Sequence, residues 1–161
     1  DEAHQRQKAQ AETAQRELFS RILAEMRKGM MGGGLASAVE ACSEKAPPLP
    51  GEVGALRNVE IGRTSWALRN PKNTPPPWAQ PFVAERVERS RFMVANDGRL
   101  AALIPIRTMS LCLGCHGEPD RITPDVRARL AELYPDDQAT GFGNNALRGW
   151  FWVEVPAPVG D

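Results

Sequence analysis

Metal-binding and disulfide-forming residues are scarce in this sequence of 161 residues, which contains three cysteines and two histidines. It also lacks any apolar run of the roughly 18 residues that a membrane-spanning helix needs. No charge of one sign is in excess, because 20 basic and 20 acidic residues give a formal net charge of zero. We therefore expect no membrane span and no nucleic-acid partner, since a neutral chain has no overall attraction for phosphates.

The start of the chain has the periodicity of two helices. Apolar residues recur every three or four positions between residues 3 and 30, which predicts one long helix. Gly29 and the glycines at 32–34 are expected to end it, because glycine favours non-helical backbone. Leu35 and Cys42 share one face of a second, shorter helix that the following prolines stop. That face directs the Cys42 sulfur towards the protein interior.

The rest of the chain predicts a long loop followed by mixed helices and strands. Eight of the fourteen prolines lie in residues 47–81, a loop with one short strand at 59–61. Asp97 and Gly98 between two apolar runs predict a β-hairpin. The later elements are a helix at 78–91, hairpin strands at 92–95 and 100–106, a helix at 124–133 and a strand at 150–155. This order predicts an α+β fold with an antiparallel sheet and helices on one face.

The sequence Cys-Leu-Gly-Cys-His at residues 112–116 is the attachment motif of covalent c-type haem. The thiols of Cys112 and Cys115 can each add to one vinyl group of the porphyrin. The next residue, His116, then lies beneath the ring and can bind the iron through its imidazole. With one such motif, the chain predicts one covalent haem c.

Two other kinds of site use the same residues. Cys42, Cys112, Cys115 and His116 could form a Cys₃His zinc site, but three of these ligands would crowd into five consecutive residues. A dithiol redox pair of the thioredoxin type would require a βαβ setting, which the predicted pattern does not provide. We keep both as alternatives to haem.

The ligand on the other side of the iron must come from upstream or from outside the protein, because no Met, His or Cys follows His116. Cys42 is favoured, since it lies on an inward helix face and a spare thiol is a hazard in an oxidising compartment. His4 lies near a terminus that is expected to fray. All five methionines precede the motif: Met26 and Met30 lie on the apolar stripe, where a methionine is more often a core residue, and Met109 is too close to the attachment site to reach over the ring.

Arginine is the preferred cation of this chain and suits the two propionates of a haem. A guanidinium binds a carboxylate through two parallel hydrogen bonds. Arg63 and Arg69 lie in the proline-rich loop, and Arg148 precedes the last strand, so these three are candidate propionate ligands or simply surface cations. Candidate pocket walls, which could equally be core residues, are Trp66, Trp78, Phe92, Trp150 and Trp152.

Several short stretches resemble a family of periplasmic c-type haem domains that was long classed as a domain of unknown function. The matching segments are Ala41–Pro47, Gly62–Ser65, Leu68–Pro75, Cys112–Gly117, Tyr134–Phe142 and Arg148–Gly149. The resemblance spans residues 35–155, and it implies a PAS-like fold in which His116 and Cys42 are the two axial ligands. Together with the glycine turn and the Pro-containing end of the chain, this span divides the chain into three segments: an N-terminal helix with its glycine turn (1–34), the haem domain (35–155) and a tail (156–161).

A thiolate ligand favours ferric iron, so this ligand pair predicts a low reduction potential. With both axial positions filled, we expect no enzymatic activity. We expect a redox or diatomic-gas sensor, in which Cys42 leaves the reduced iron and NO or CO binds. The alternative is a periplasmic electron-transfer cytochrome.

The expected location and partners follow from the haem. Thioether attachment takes place outside the bacterial cytoplasm, so we expect a periplasmic or otherwise exported protein. The chain starts at Asp1 without a leader, which fits a mature chain or a domain excised from a membrane sensor. A signalling or redox protein is expected as partner, together with a second copy of the chain bound through the N-terminal helix.

Overall fold

The computed structural model describes residues 1–160 and shows helices packed around one antiparallel sheet, which confirms the predicted α+β class. The α-helices are α1 (Glu2–Lys45), α2 (Leu49–Arg57), α3 (Gln80–Glu85), α4 (Leu113–His116) and α5 (Pro124–Leu133). The strands are β1 (Glu60–Thr64), β2 (Arg91–Val94), β3 (Leu100–Arg107) and β4 (Leu147–Val155). Across these residues, no helix combines the length and the apolar character needed to cross a membrane.

Helix α1 consists of two arms that double back on each other. The backbone leaves the helical region at Gly33 and Gly34, and Gly34 has a φ of 79° that side-chain-bearing residues rarely adopt. We call residues 2–32 the first arm and residues 35–45 the second arm. The two predicted helices are thus confirmed, with the break at the last two glycines of the predicted turn.

Gly29 lies inside the first arm and does not end it, in contrast to the sequence-based expectation. A Cβ atom at Gly29 would lie 2.7 Å from the Cα of Ala38 on the second arm. The missing side chain therefore lets the two backbones approach closely, and this contact fixes the position of the second arm, which carries Cys42.

The sheet has the strand order β1-β4-β3-β2, with every neighbouring pair antiparallel. Strand β4 lies between β1 and β3, so Val153 pairs with Ile61 on one side and with Ala102 on the other. The register of β3 and β4 shifts between Ile106 and Arg107, where β3 leaves the sheet towards residues 112–116. The predicted hairpin and terminal strand are confirmed.

Helices cover both faces of the sheet, whereas the sequence pattern predicted one face. The first arm and α2 bury Leu18 and Val53 against Phe151 of β4. The short helix α3 covers the opposite face, where Val83 packs with Trp150. Trp150 and Phe151 are successive residues of one strand, so their side chains point to opposite faces and each anchors its own core.

Helices α2 and α3 both depart from the sequence-based expectation. The segment of α2 was expected to be loop because of its prolines, yet Pro48 and Pro50 lie at the cap and in the first turn, where a missing N–H costs nothing. Helix α3 is much shorter than the predicted helix at 78–91. It stops at Arg86, which has a left-handed φ of 52°, and the chain then continues into β2.

The first arm belongs to the core of the sheet. Ala11, Ala14 and Leu18 are each 0% exposed there, so the apolar stripe of this helix faces the protein's own strands. The predicted division at residue 34 and the predicted homodimer through this helix stay predictions. Residues 156–160 form no helix or strand, and the last residue of the predicted tail, Asp161, lies outside the described residues.

Candidate functional site

A third apolar cluster lies beyond the end of the sheet, where the second arm, α4 and α5 meet. Its buried members are Val39, Ile122, Val126 and Leu130, and Leu35, Ala36, Cys115, Leu133 and Tyr134 pack against them. The cluster therefore joins the helix that carries Cys42 to the helix that carries the second cysteine of the motif.

The Cys-x-x-Cys-His segment is helical, which brings its reactive side chains to one side. A short 3₁₀ turn ending at Cys112 runs directly into α4, so Cys112 neighbours both Cys115 and His116 at helical spacings of three and four. All three side chains are partly buried. A Cβ at Gly114 would lie 2.6 Å from Cδ1 of Leu35, so the glycine lets α4 pack closely on the second arm.

His116 is held by one strong hydrogen bond. Its Nδ1 lies 2.7 Å from the carbonyl oxygen of Ala139, and because a carbonyl can only accept, Nδ1 carries the proton. Burial and the cations of Arg69 and Arg148 hold the pKa of His116 well below its usual range. The ring is therefore neutral at pH 7, and its Nε2 keeps a lone pair that can bind a metal.

Residues 139–142 run beside the end of α4 and are bonded to it. The Phe142 amide donates to the His116 carbonyl and the Gly141 amide to the Gly117 carbonyl, both at 2.8 Å. The Phe142 ring stands edge-on to the His116 ring, with centroids 6.3 Å apart, and it also contacts Trp66 at 6.0 Å. This loop thus supplies both the acceptor and an aromatic neighbour of the histidine.

Arg69 connects three segments of the site. Its Nε donates to Oδ1 of Asp137 at 3.1 Å, and its Nη2 donates to the carbonyl oxygens of Ala139, at 3.1 Å, and Cys115. The side chains of Arg69 and Asp137 are only 13% and 11% exposed. The Asp137 Oδ1 also accepts the Ala139 amide at 2.8 Å. Arg69 is therefore engaged with protein groups, and its predicted contact with a propionate stays a prediction.

Arg63 and Arg148 lie at the same site without a carboxylate partner among residues 1–160. Arg148 donates to the Ala67 carbonyl at 3.1 Å and stacks over Phe142. Burial, together with the nearby Arg69 and Arg63, lowers the pKa of Arg148 to about 10. Burial likewise lowers the pKa of Arg63. Three guanidinium groups thus surround His116 with one carboxylate between them, which leaves an excess of positive charge.

Cys42 is partly buried on the inner face of the second arm, as predicted. Burial raises the pKa of its thiol most; the neighbouring Arg63 opposes that shift, and Cys115 adds to it. Burial raises the pKa of Tyr134, and the Cys42 thiol raises it further. The fold therefore brings Cys42 into the neighbourhood of the second motif cysteine and of two candidate arginines, Arg63 and Arg69.

Two of the other candidate iron ligands, His4 and Met109, are poorly placed to bind the iron. His4 is in the first turn of α1 near Asp1, and the side chain of Gln7, one turn further, donates to the carbonyls of Gly98 and Pro156. Gly98 precedes β3 and Pro156 follows β4, which ends beside the start of β3, where Leu100 pairs with Val155. The motif follows the other end of β3, so His4 lies at the opposite end of the sheet. Met109 is 39% exposed just before the motif.

The predicted aromatic walls divide between site and core. Trp66 reaches the site through Phe142. Trp78, Trp150 and Trp152 belong to the core under α3, and Phe92 packs with the core under α1 and α2, where the Lys8 ammonium lies over its ring.

Zinc binding gains no geometric support. No three His, Cys, Asp or Glu side chains converge as a metal-ligand set within the part of the chain that the structure describes.

Three functional residues were missed from the sequence. They are Asp137, Ala139 and Phe142, which follow the end of α5 at Leu133 and position His116. Their only signal was that they fall within the stretch Tyr134–Phe142 of the family resemblance.

Comparison with known proteins gives a family match and a structural match. Residues 2–156 match the sequence family described as Tll0287-like. The chain is similar to the crystal structure of the cyanobacterial heme-protein Tll0287, with a TM-score of 0.64 and 22% sequence identity over 89% of this chain and 91% of that one. At this identity the structural match shows a shared fold. No curated protein matches the chain.

Proposed function

The chain belongs to the Tll0287-like family, and from that premise we propose that it is a covalent haem protein that senses redox state or a diatomic gas. The observation that carries the proposal is His116: it directly follows a Cys-x-x-Cys pair, and its Nδ1 is bonded to Ala139 while Nε2 is left free. This is the arrangement that metal-binding histidines adopt. The structural relative Tll0287 is named a heme-protein, which supports the same conclusion.

The side chains of the site fit a covalently attached haem. The Cys112 and Cys115 thiols would each add across one vinyl double bond, with a C–S bond formed and the thiol hydrogen transferred to the adjacent carbon, so no atom is lost. The Nε2 of His116 would bind the iron, and the haem would supply a one-electron couple there.

Two partly buried arginines without ion-paired carboxylates fit the two propionates. Desolvation of a cation is costly unless an anion neutralises it, and Arg63 and Arg148 have no ion-paired anion among the described side chains. A carboxylate accepts the guanidinium fork with good geometry. We therefore assign these two residues to the propionates ahead of Arg69, which is already paired with Asp137.

Cys42 is proposed as the ligand opposite His116. It lies on the second arm, which packs on α4 through Leu35 and Gly114. Thiolate ligation would favour ferric iron and a low potential, and with both axial positions filled, catalytic turnover is not part of the proposal. Thioether attachment also places the protein outside the cytoplasm in this proposal, and the PAS-like fold named by the family resemblance is included in it.

The proposed signal is the release of Cys42 when the iron is reduced, which would open a position for NO or CO. Because the second arm is linked to the first through Gly33 and Gly34, a movement of Cys42 has a short mechanical path to the helix that packs on the sheet. A signalling protein that contacts this hinge is the proposed partner.

The test begins with protein produced in cells that attach c-type haem. After denaturation, haem should stay with the polypeptide, and colourless protein would overturn the proposal. The electron paramagnetic resonance spectrum of the ferric protein should change in Cys42→Ala and not in the control Met31→Ala, whose side chain is 89% exposed. An unchanged spectrum in Cys42→Ala would show that Cys42 is not a ligand of the iron.

Reduction separates the sensor from the electron carrier. A sensor should bind CO once reduced, and its voltammogram should show hysteresis as Cys42 leaves and returns. A single couple that is independent of scan rate, with a reduced form that ignores CO, would favour electron transfer instead.

A further inference from the structure

We propose that Arg69 and Asp137 are positioning residues of opposite sign that set how strongly His116 donates electrons to the iron. The inference rests on the proposed function, because it concerns the histidine assigned there to the haem. It goes beyond that function by assigning the reduction potential to a pair of residues that act on the backbone around the histidine and are not themselves proposed as iron ligands.

The first step is that one carbonyl oxygen serves two donors. The Ala139 oxygen accepts the His116 Nδ1 proton at 2.7 Å and the Arg69 Nη2 proton at 3.1 Å. A carbonyl has two lone pairs, so both bonds can form at once. The charged donor draws electron density from the oxygen, which weakens the oxygen as an acceptor for the histidine.

The second step connects this acceptor to the iron. A strong hydrogen bond from Nδ1 gives an imidazole partial imidazolate character, and the ring then donates more charge to the metal and favours its oxidised form. Arg69 limits that donation by polarising the Ala139 carbonyl. Its own positive charge, in a partly dehydrated site, disfavours ferric iron in the same direction. Both effects of Arg69 therefore raise the potential.

The third step gives Asp137 the opposite sign. Its carboxylate offsets the charge of Arg69 and, through Oδ1, holds both the Arg69 Nε and the Ala139 amide. Replacement by Asn keeps an oxygen at that place but removes the negative charge. The cation of Arg69 is then uncompensated, and the two other arginines of the site are unchanged.

The Arg69–Asp137 pair, which we call the clamp, also holds the backbone around His116. Arg69 reaches the Cys115 carbonyl on α4 and the Ala139 carbonyl on the adjoining loop, so it joins the two segments on either side of the ring. A purely structural clamp would lose its effect in the same direction whichever partner is removed. A clamp that acts by charge gives potential shifts of opposite sign, and this difference is the basis of the test.

The experiment measures the midpoint potential of haem-loaded protein for Arg69→Gln and Asp137→Asn. We expect Arg69→Gln to lower the equilibrium constant for reduction by about tenfold, which is about 59 mV for one electron. Asp137→Asn should raise it. Arg69→Lys keeps the charge without the fork and should lie between wild type and Arg69→Gln.

A matched control is Arg99→Gln, which removes the same charge at the opposite end of β3, where Arg99 pairs with Asp97 and Glu154. Its potential should equal that of the wild type. Resonance Raman spectroscopy adds a second readout, because the iron–histidine frequency of the reduced protein should rise in Arg69→Gln and fall in Asp137→Asn.

The possible failures are distinguishable. Shifts of the same sign, or no shift beyond the Arg99→Gln control, would overturn the inference while the haem and its ligands stand. A wild-type chain without covalent haem would instead overturn the proposed function. If Arg69→Gln does not fold, Arg69→Lys and Asp137→Asn decide the question by the signs of their shifts.

Discussion

The core of the sheet and the proposed haem site are stabilised by different kinds of interaction. The core under α1 and α2 is apolar, with Leu18, Val53 and Val153 each 0% exposed and the strands joined by backbone ladders. The site beyond the sheet is joined by side chains that reach backbone carbonyls, and it holds more cations than anions. The apolar core needs no further group, whereas the excess positive charge of the site needs an anion to neutralise it.

The two regions should therefore respond to different perturbations. Hydrophobic burial stabilises the core whether or not haem is present. In the proposed function, the site would gain its missing negative charge and its covalent links only when the haem is attached. Variants in one region should therefore leave the signature of the other intact.

The largest expected effect is the loss of haem from Cys112→Ala/Cys115→Ala. Without thiols no thioether can form, so all covalent haem should be absent after denaturation, as checked by haem staining of a denaturing gel. The far-ultraviolet circular dichroism of this variant should match that of haem-free wild type. A variant that loses its sheet signal as well would contradict the independence of the core.

Phe151→Ala tests the core from the other side. Truncating a buried aromatic residue that packs against Phe19 should lower the free energy of unfolding by about 3–5 kcal/mol, measured by urea denaturation. The 61% exposed Leu56 offers the control Leu56→Ala, with a change within about 0.5 kcal/mol. A loss in Phe151→Ala that disappears when haem is removed would show that the core depends on the site.

Gly29→Val addresses the link between the two regions. The added Cβ would meet the Ala38 backbone at 2.7 Å, so we expect a loss of about 1–3 kcal/mol together with a displaced second arm. The ferric spectrum should change because Cys42 lies on that arm. Gly32→Ala is the control, since its Cβ would have an ordinary contact at 3.8 Å with Ser37. An unchanged ferric spectrum in Gly29→Val would show that the contact between the two arms does not determine the position of Cys42.

The smallest expected effect is a pH dependence of the haem-free chain. Folding lowers the pKa of His116 through burial and the nearby arginines, so the unfolded chain binds more protons. The resulting stability is present above the unfolded pKa of about 6.5 and is lost as pH falls below it, by at most about 1.4 kcal/mol per pH unit. Urea denaturation between pH 7 and 5 measures this. His116→Gln should flatten the dependence and His4→Gln should retain it.

Local patterns predicted the elements that depend on neighbouring residues. The stripe of the first arm, the Asp97-Gly98 turn and the Pro124 helix start all follow from short-range spacing, and each is confirmed. Helix α2 was missed because its prolines suggested a loop, although both lie where a helix tolerates them. The haem motif was also found locally, since its chemistry lies within five consecutive residues.

The surroundings of that motif could not be derived in the same way. Arg69 and Asp137 are 68 residues apart, and Arg69 and Cys115 are 46 apart, so no local periodicity relates them. Spacing along the chain thus sufficed for the helices, the hairpin and the Cys-x-x-Cys-His motif, because their bonds form between near neighbours. The tautomer of His116, the engagement of Arg69 and the unpaired charge of Arg63 and Arg148 arose only when packing brought distant segments together.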